Sequence, residues 1–232
     1  MAGAIAIIPP RGGSVRLARK NIADFLGKPI IAYTIEAALE SGCFDRVMVS
    51  TEDAEIAEIA QKHGASLHRR PPHLATSSAT VVEVCLDALD ASSVVGRGYD
   101  RFACLYATAP LRTASDIRTV VDLLDPPNCE FAFAVTTYPL PPHQAMRFET
   151  GSHLVPMWPE LVEARTSELA QLVVDNGSTY AAMIDAFRRE RTFLGSSKRG
   201  HLMPRKRSVD IDGPEDLAIA RLFGHELMAS SA

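Results

Sequence analysis

Apolar residues along this chain switch repeatedly between two spacings. Residues 4–9 place Ile5, Ile7 and Ile8 in a short run closed by Pro9-Pro10, the pattern of a buried strand. From Ile31 the spacing becomes helical, with Ile31, Ile35, Ala38 and Leu39 on one face and Gly42 as the stop. Arg46 to Ser50 predicts a second strand. Thr51 stands where an N-cap belongs, and Glu52, Asp53 and Glu55 sit near the positive end of a helix buried through Ile56, Ile59 and Ala60. The alternation continues with strand 65–68, helix 80–91, strand 101–106, helix 114–124 and strand 131–136. Residues 138–175 break it, with Pro139, Pro141, Pro142, Pro156 and Pro159 and weak periodicity. Long irregular insertions in compact domains are usually functional, so 138–172 is expected to be a lid or a dimerisation arm. The rhythm returns with strands 178–184 and 208–211 and a closing helix over 213–228.

Strands alternating with helices predict right-handed crossovers and a mostly parallel sheet with helices on both faces, within one domain spanning 1–232. Ligands in such sheets bind beyond the carboxyl ends of the strands. The loops 9–21, 69–80 and 106–113 all follow predicted strands and are expected to share one crevice.

Composition narrows the function classes. No run approaches the roughly 18 apolar residues of a membrane span, and the short N-terminal apolar run has no basic residue before it, so a strand is expected there rather than a signal peptide. Cys43, Cys85, Cys104 and Cys129 form no C-x-x-C pair and lie in or beside apolar runs, as reduced thiols of a cytoplasmic protein would. The histidines show no zinc spacing. A net charge of −4 argues against a general nucleic-acid binder. Yet residues 1–23 carry Arg11, Arg16, Arg19 and Lys20 and no acid, which marks a local anion site.

That site falls on the loop after the first strand, Pro9 to Asn21. Gly12-Gly13 allow a tight turn with open backbone N–H groups, and the surrounding cations suit a polyphosphate. Neither a P-loop nor a dinucleotide G-x-G-x-x-G is present; the plain alternative is a solvated basic turn. Near the C-terminus, Asp210 and Asp212 would share one face of a strand and suit joint metal binding. The alternative for Asp212 is an N-cap, with Pro214 in the first turn and Glu215 completing a capping box. The basic stretch Lys198, Arg199, His201, Arg205, Lys206 and Arg207 reads as a solvated loop.

IIPPRGGSVRLARKNI resembles the opening IIPARGGSKRIPRKNI of the CMP-sialic acid synthetases, or acylneuraminate cytidylyltransferases, a family that includes the pseudaminic and legionaminic acid enzymes. GKPIIAYTIEAALESGCFDRVMVSTEDAEIAEIA, RRPPHLA, LYATAPLR, NGSTY and VDIDGPEDL follow in the family's order, so the resemblance covers nearly the whole chain and is weakest over 138–172. It implies a three-layer Rossmann-like nucleotidyltransferase, a cytoplasmic homodimer joined through 138–172, that transfers CMP from CTP to a nine-carbon acidic sugar with magnesium and releases pyrophosphate. Arg11 and Lys20 are then implied to hold the triphosphate, with Gly12, Gly13, Ser14, Asn21 and Arg70 around the nucleotide. Tyr106, Arg112, Arg165 and Asn176 are implied on the sugar side, and Asp210 and Asp212 as magnesium ligands. Arg11, Lys20 and Asp212 are the residues expected to act in catalysis.

Three positions depart from the sialic acid pattern. Val15 stands where the family usually has lysine, and Tyr106 where sialic acid enzymes have glutamine. Gln144 falls near a Lys or Arg of the relatives. LYATAP is closer to the pseudaminic acid enzymes, whereas NGSTY is closer to the sialic or legionaminic type. Other acceptors, such as an eight-carbon ulosonic acid or a phosphonate, and a non-catalytic nucleotide-binding module remain as alternatives.

Overall fold

The computed structural model describes residues 3–14, 16–91 and 93–229; Val15 lies outside them. The chain runs β1 (Gly3–Ile8), β2 (Asp24–Phe25), β3 (Lys28–Pro29), α1 (Ile30–Ser41), β4 (Arg46–Thr51), α2 (Ala54–Lys62), β5 (Ser66–Arg69), α3 (Val81–Asp90) and β6 (Tyr99–Leu105). It continues through α4 (Ala114–Asp122), β7 (Phe131–Thr137), β8 (Met146–Phe148), β9 (Leu154–Pro156), β10 (Val173–Met183), α5 (Ile184–Glu190), β11 (Lys198–Leu202) and α6 (Pro214–Ala229).

The central sheet has seven strands in the order β11-β7-β10-β6-β1-β4-β5. β1 is parallel to β4 and β6, β4 to β5, and β11 to β7, while β10 runs antiparallel between β6 and β7. Strand alternation divides the core into two layers. Ala6 and Ile8 of β1 face Ile31 and Ile35 of α1, Ile56 of α2 and Ile117 of α4. Ile5 and Ile7 face the other way, against Cys85 and Leu89 of α3 and Phe187 of α5. A third cluster packs Leu217 and Ala220 of α6 on Phe25, Ile30 and Leu111. The expected mostly parallel sheet with helices on both faces is the observed one.

The helix ends are set by local chemistry. Thr80 and Glu83 form a capping box on α3, as Thr113 and Asp116 do on α4. Gly42, at φ 65°, closes α1 in the left-handed conformation. Three expectations are corrected. The N-cap of α2 is Asp53, not Thr51, because β4 extends through Thr51 and the Asp53 carboxylate accepts Ile56 N–H at 3.0 Å. Residues 208–211 form no strand; the last strand is β11, in the basic stretch expected to be a solvated loop, and it pairs along the edge of β7. At the start of α6 the Asp216 carboxylate accepts the N–H groups of Asp212 and Gly213, at 3.0 and 2.8 Å. The capping arm is therefore Asp216, one residue beyond Glu215, because the helix begins at Pro214. Within 138–172 the chain forms the β8–β9 hairpin, paired with itself and not with the central sheet.

Candidate active site

A cavity of about 390 Å³ opens at the carboxyl ends of β1 and β6. The three loops expected to meet there do so, since Pro10 to Asn21, Arg70 to Val84 and Tyr106 to Thr108 contribute walls, and Asp210 and Asp212 complete it. β1 is where the chain's path reverses, with β4 and β5 on one side and β6 on the other. Two strand ends diverge at such a point and leave a crevice.

One end of the cavity is cationic. Arg11, Ser14, Arg16, Lys20 and Asn21 line it. The loop is drawn into an arc by buried Asn21, whose Nδ2 donates to the carbonyl of Arg11 at 2.9 Å. Lys20 Nζ lies 2.8 Å from Asp212 Oδ1, and Arg16 Nη2 lies 2.7 Å from Asp212 Oδ2. The hydrogen bond from Lys20 holds the Asp212 carboxyl below the usual range, against a partial burial penalty. Asp210 behaves oppositely. Burial pushes its carboxyl up, and its Oδ1 is buried without a hydrogen-bond partner among the described residues. The segment bearing both acids is tied to the end of β6 by Ile211 N–H on the carbonyl of Thr108, at 2.9 Å.

The other end is lined by Leu74, Ala79, Val81 and Val84 with Thr76 and Ser77, an apolar slot edged with hydroxyls. Arg70 lines the same cavity. Buried Arg70 donates through Nη2 to the carbonyls of Pro10 at 2.9 Å and Ser50 at 2.6 Å, bracing the ends of β1 and β4. Burial lowers its pKa, as expected for a guanidinium with its nearest carboxylate, Glu52, at 3.7 Å. Apolar walls, several cations and a pair of carboxylates within one crevice suit a nucleoside polyphosphate.

Residues 5–136 match the sequence profile of a family described as Cytidylyltransferase. A pseudaminic acid cytidylyltransferase from Campylobacter jejuni is 34% identical over 220 residues, which are 94% of this chain and 95% of that protein. The chain belongs to the cytidylyltransferase family. A CMP-N,N'-diacetyllegionaminic acid synthase from Legionella pneumophila is 31% identical, over 93% of both chains. A solved CMP:2-keto-3-deoxy-manno-octonic acid synthetase in complex with CTP shares the fold, with a TM-score of 0.70 at 20% identity and all of both chains covered.

In this cytidylyltransferase the crevice gathers Arg11, Ser14, Lys20, Asn21, Arg70, Tyr106, Asp210 and Asp212 from the residues expected at the site. Five others stand elsewhere. Gly12 turns its N–H away, onto Glu52 Oε1 at 2.8 Å, and neither it nor Gly13 lines the cavity. Arg112 is buried beneath the crevice rather than lining it. Its guanidinium donates to the carbonyl of Ser178 at 2.5 Å and to Thr34 Oγ1 at 2.8 Å, and burial lowers its pKa to about 10. Asn176 is buried too; its Nδ2 donates to Ser208 Oγ at 3.1 Å and its Oδ1 accepts Ser178 N–H at 3.1 Å, joining β10 to the segment that carries Asp210. Arg165 lies in the 138–172 segment, outside the cavity wall. Tyr106 sits at the cavity edge with its ring 5.5 Å from that of Tyr180, whose hydroxyl donates to Asp175 Oδ2 at 2.7 Å.

Beside the apolar residues between Leu74 and Val84, Thr108 and Gly177 also escaped the residue-level reading. Thr108 carried no local signal. Gly177 did, as an Asn-Gly pair. It adopts φ 68°, and an added Cβ would stand 3.2 Å from Asp210 Oδ2. A side chain there would push on the buried carboxylate.

Proposed function

We propose that the protein transfers CMP from CTP to a nonulosonic acid, forming the CMP-sugar and pyrophosphate. The carrying observation is the crevice that sets Lys20 and Arg16 against Asp212 beside a buried, unpartnered oxygen of Asp210. In phosphoryl-type transfer the protein positions the reactants and neutralises charge. The anomeric hydroxyl of the sugar attacks the α-phosphorus of CTP and gives up its proton to solvent, and the bond from that phosphorus to the bridging oxygen breaks as pyrophosphate leaves. Arg11, Arg16 and Lys20 offset the charge that gathers on the leaving pyrophosphate. Arg70 and the apolar slot hold the base end, so the α-phosphate falls near the two aspartates.

The donor set fits magnesium, because Asp210 offers a desolvated carboxylate oxygen with no other partner and Asp212 an ionised carboxylate. Among the described residues no group of three or more His, Cys, Asp or Glu could hold a metal by itself, so the pair would need substrate phosphates to complete the set, a usual magnesium arrangement. Asp210 and Asp212 would hold the ion, which when bound polarises the phosphoryl oxygens. Lys20 and Arg16, ion-paired with Asp212 in the free protein, would then pair with the triphosphate instead.

The acceptor is a nonulosonic acid bound on the Tyr106 side. The aromatic edge of Tyr106 and the 34% identity to a pseudaminic acid enzyme favour a pseudaminic-type sugar. We further propose a homodimer through 138–172, where Leu140 is 77% and Phe148 73% exposed. A cytoplasmic location fits the four unpaired thiols. The decisive experiment is magnesium-dependent pyrophosphate release from CTP with pseudaminic, legionaminic and N-acetylneuraminic acids, against no-sugar and other-nucleotide controls. CTP-specific release with one sugar is expected. CTP binding without release on any sugar would replace the enzyme by a nucleotide-binding module.

A further inference from the structure

The basic loop is held from behind by acids that do not line the cavity. Gly12 N–H donates to Glu52 Oε1 at 2.8 Å. An added Cβ on Gly12 would collide with the Asp53 carboxylate, so this glycine is needed for close approach to the connection between β4 and α2. At the far end of the loop Arg19 adopts φ 55°, a left-handed conformation that a side chain bearing a Cβ does not favour. Its guanidinium grips Asp53 with two nitrogens, one of them 3.0 Å from Asp53 Oδ1, and also reaches Glu55 Oε2 at 2.5 Å. The next residue is Lys20, whose ammonium enters the crevice. Asp53 Oδ1 also caps α2 through Ile56 N–H, so the clamp is fixed to a rigid element.

We propose that Glu52 and Asp53 are positioning residues that set the nucleotide loop before CTP arrives. Glu52 fixes the loop at Gly12, next to Arg11. Asp53 secures the left-handed turn at Arg19 that aims Lys20. Both acids meet the loop from behind, Glu52 with its second oxygen 3.7 Å from Arg70 Nη1, so Arg11, Ser14 and Lys20 are left facing the triphosphate. This inference rests on the assignment of the crevice to CTP.

The test compares Glu52→Ala, Glu52→Gln and Asp53→Asn with the unaltered protein by calorimetric titration with CTP, steady-state kinetics and thermal melting. Gln keeps an acceptor for Gly12 N–H, and Asn keeps the helix cap while removing the charge that Arg19 grips. Glu52→Ala and Asp53→Asn are expected to weaken CTP binding roughly tenfold, because a loop no longer fixed in advance must be ordered at the expense of binding free energy. Their KM for the sugar should stay unchanged, Asp53→Asn should melt somewhat below the parent because Arg19 loses a charged partner, and Glu52→Gln should restore most of the affinity. Unchanged CTP affinity in Glu52→Ala and Asp53→Asn would overturn the positioning role. Tighter CTP binding would overturn it as well, and would make Glu52 a competitor of the phosphates. Absence of CTP binding by the unaltered protein would instead reject the functional assignment itself.

Discussion

Asp210 and Asp212 are two residues apart and live in different electrostatic surroundings. Asp212 is ionised by its cations, while Asp210 is pushed toward protonation by burial. A group whose pKa is raised on folding binds its proton more tightly in the folded chain, so the ionised form of Asp210 is the costly one and is lost first as pH falls. Its placement depends on a residue with no side chain. Gly177→Ala forces a Cβ into a left-handed position and against Asp210 Oδ2. It is expected to lower stability by about 1–2 kcal/mol and to reduce kcat more than CTP affinity. Urea denaturation and steady-state kinetics check both, and a variant that turns over normally would detach Gly177 from the site. Much of the cationic end was legible at this scale, because Arg11, Lys20 and Asn21 carry their chemistry in their type and their spacing after a strand. Arg112 and Asn176 were harder. Each is a polar residue in a motif beside the crevice, but whether its side chain enters the cavity or bonds backbone below it depends on strand ends 66 residues apart, as with Arg112 and Ser178.

At the scale of elements, the periodic segments gave the helices and inner strands to within a few residues, since burial on one or both faces writes itself into apolar spacing. β11 was illegible because Lys198 to Leu202 is an edge strand whose side chains are mostly exposed, so no alternation was selected. The V-D-I-D alternation at 209–212 promised a strand, but Ile211 serves the α6 cluster instead of a sheet face. The reversed direction of β10 leaves no trace in composition. What holds this end of the fold is Asp116 of α4. It accepts hydrogen bonds from Thr113, from His201 of β11 at 3.2 Å, and from Arg207 at 2.8 Å, three residues before Asp210. Burial alone would raise its carboxyl, yet the bonds from Arg207, Thr113 and His201 bring it from 3.8 down to about 2. A depressed acid stabilises the fold above its unfolded pKa and loses that contribution as pH falls through the folded one. Asp116→Asn is therefore expected to cost about 2 kcal/mol near neutral pH. The deficit should shrink as pH falls from 3.8 toward about 2. Urea titrations of both proteins across that range test it, and a deficit that does not change with pH would assign the loss to packing rather than charge.

At the scale of the whole molecule, the 138–172 segment is the part that the core does not explain. Its irregular sequence pointed to a separate task, and its fold gives that task a shape. Among the described residues β8 and β9 pair only with each other, and Met146 to Phe148 is exposed along its length. A lone two-stranded hairpin is marginal in water. Leu140, Phe148, Leu154 at 55% and Leu172 at 43% exposure leave further large apolar side chains of this segment open to solvent. In the proposed homodimer a second copy of the chain would cover these side chains, and the central sheet would persist without that contact, because none of these four residues belongs to its core clusters. Sedimentation velocity is expected to give a dimer for the unaltered protein and a monomer for the double variant Leu140→Asp with Phe148→Asp, with the same far-ultraviolet circular dichroism. Arg165, from the same segment, reaches no wall of the crevice within its own chain. If the partner brings this region to the sugar, the monomeric variant keeps its CTP affinity and loses affinity for the acceptor. A monomeric parent protein would defeat the interface; a monomeric variant with unchanged KM for the sugar would leave the interface standing and confine the sugar site to one chain.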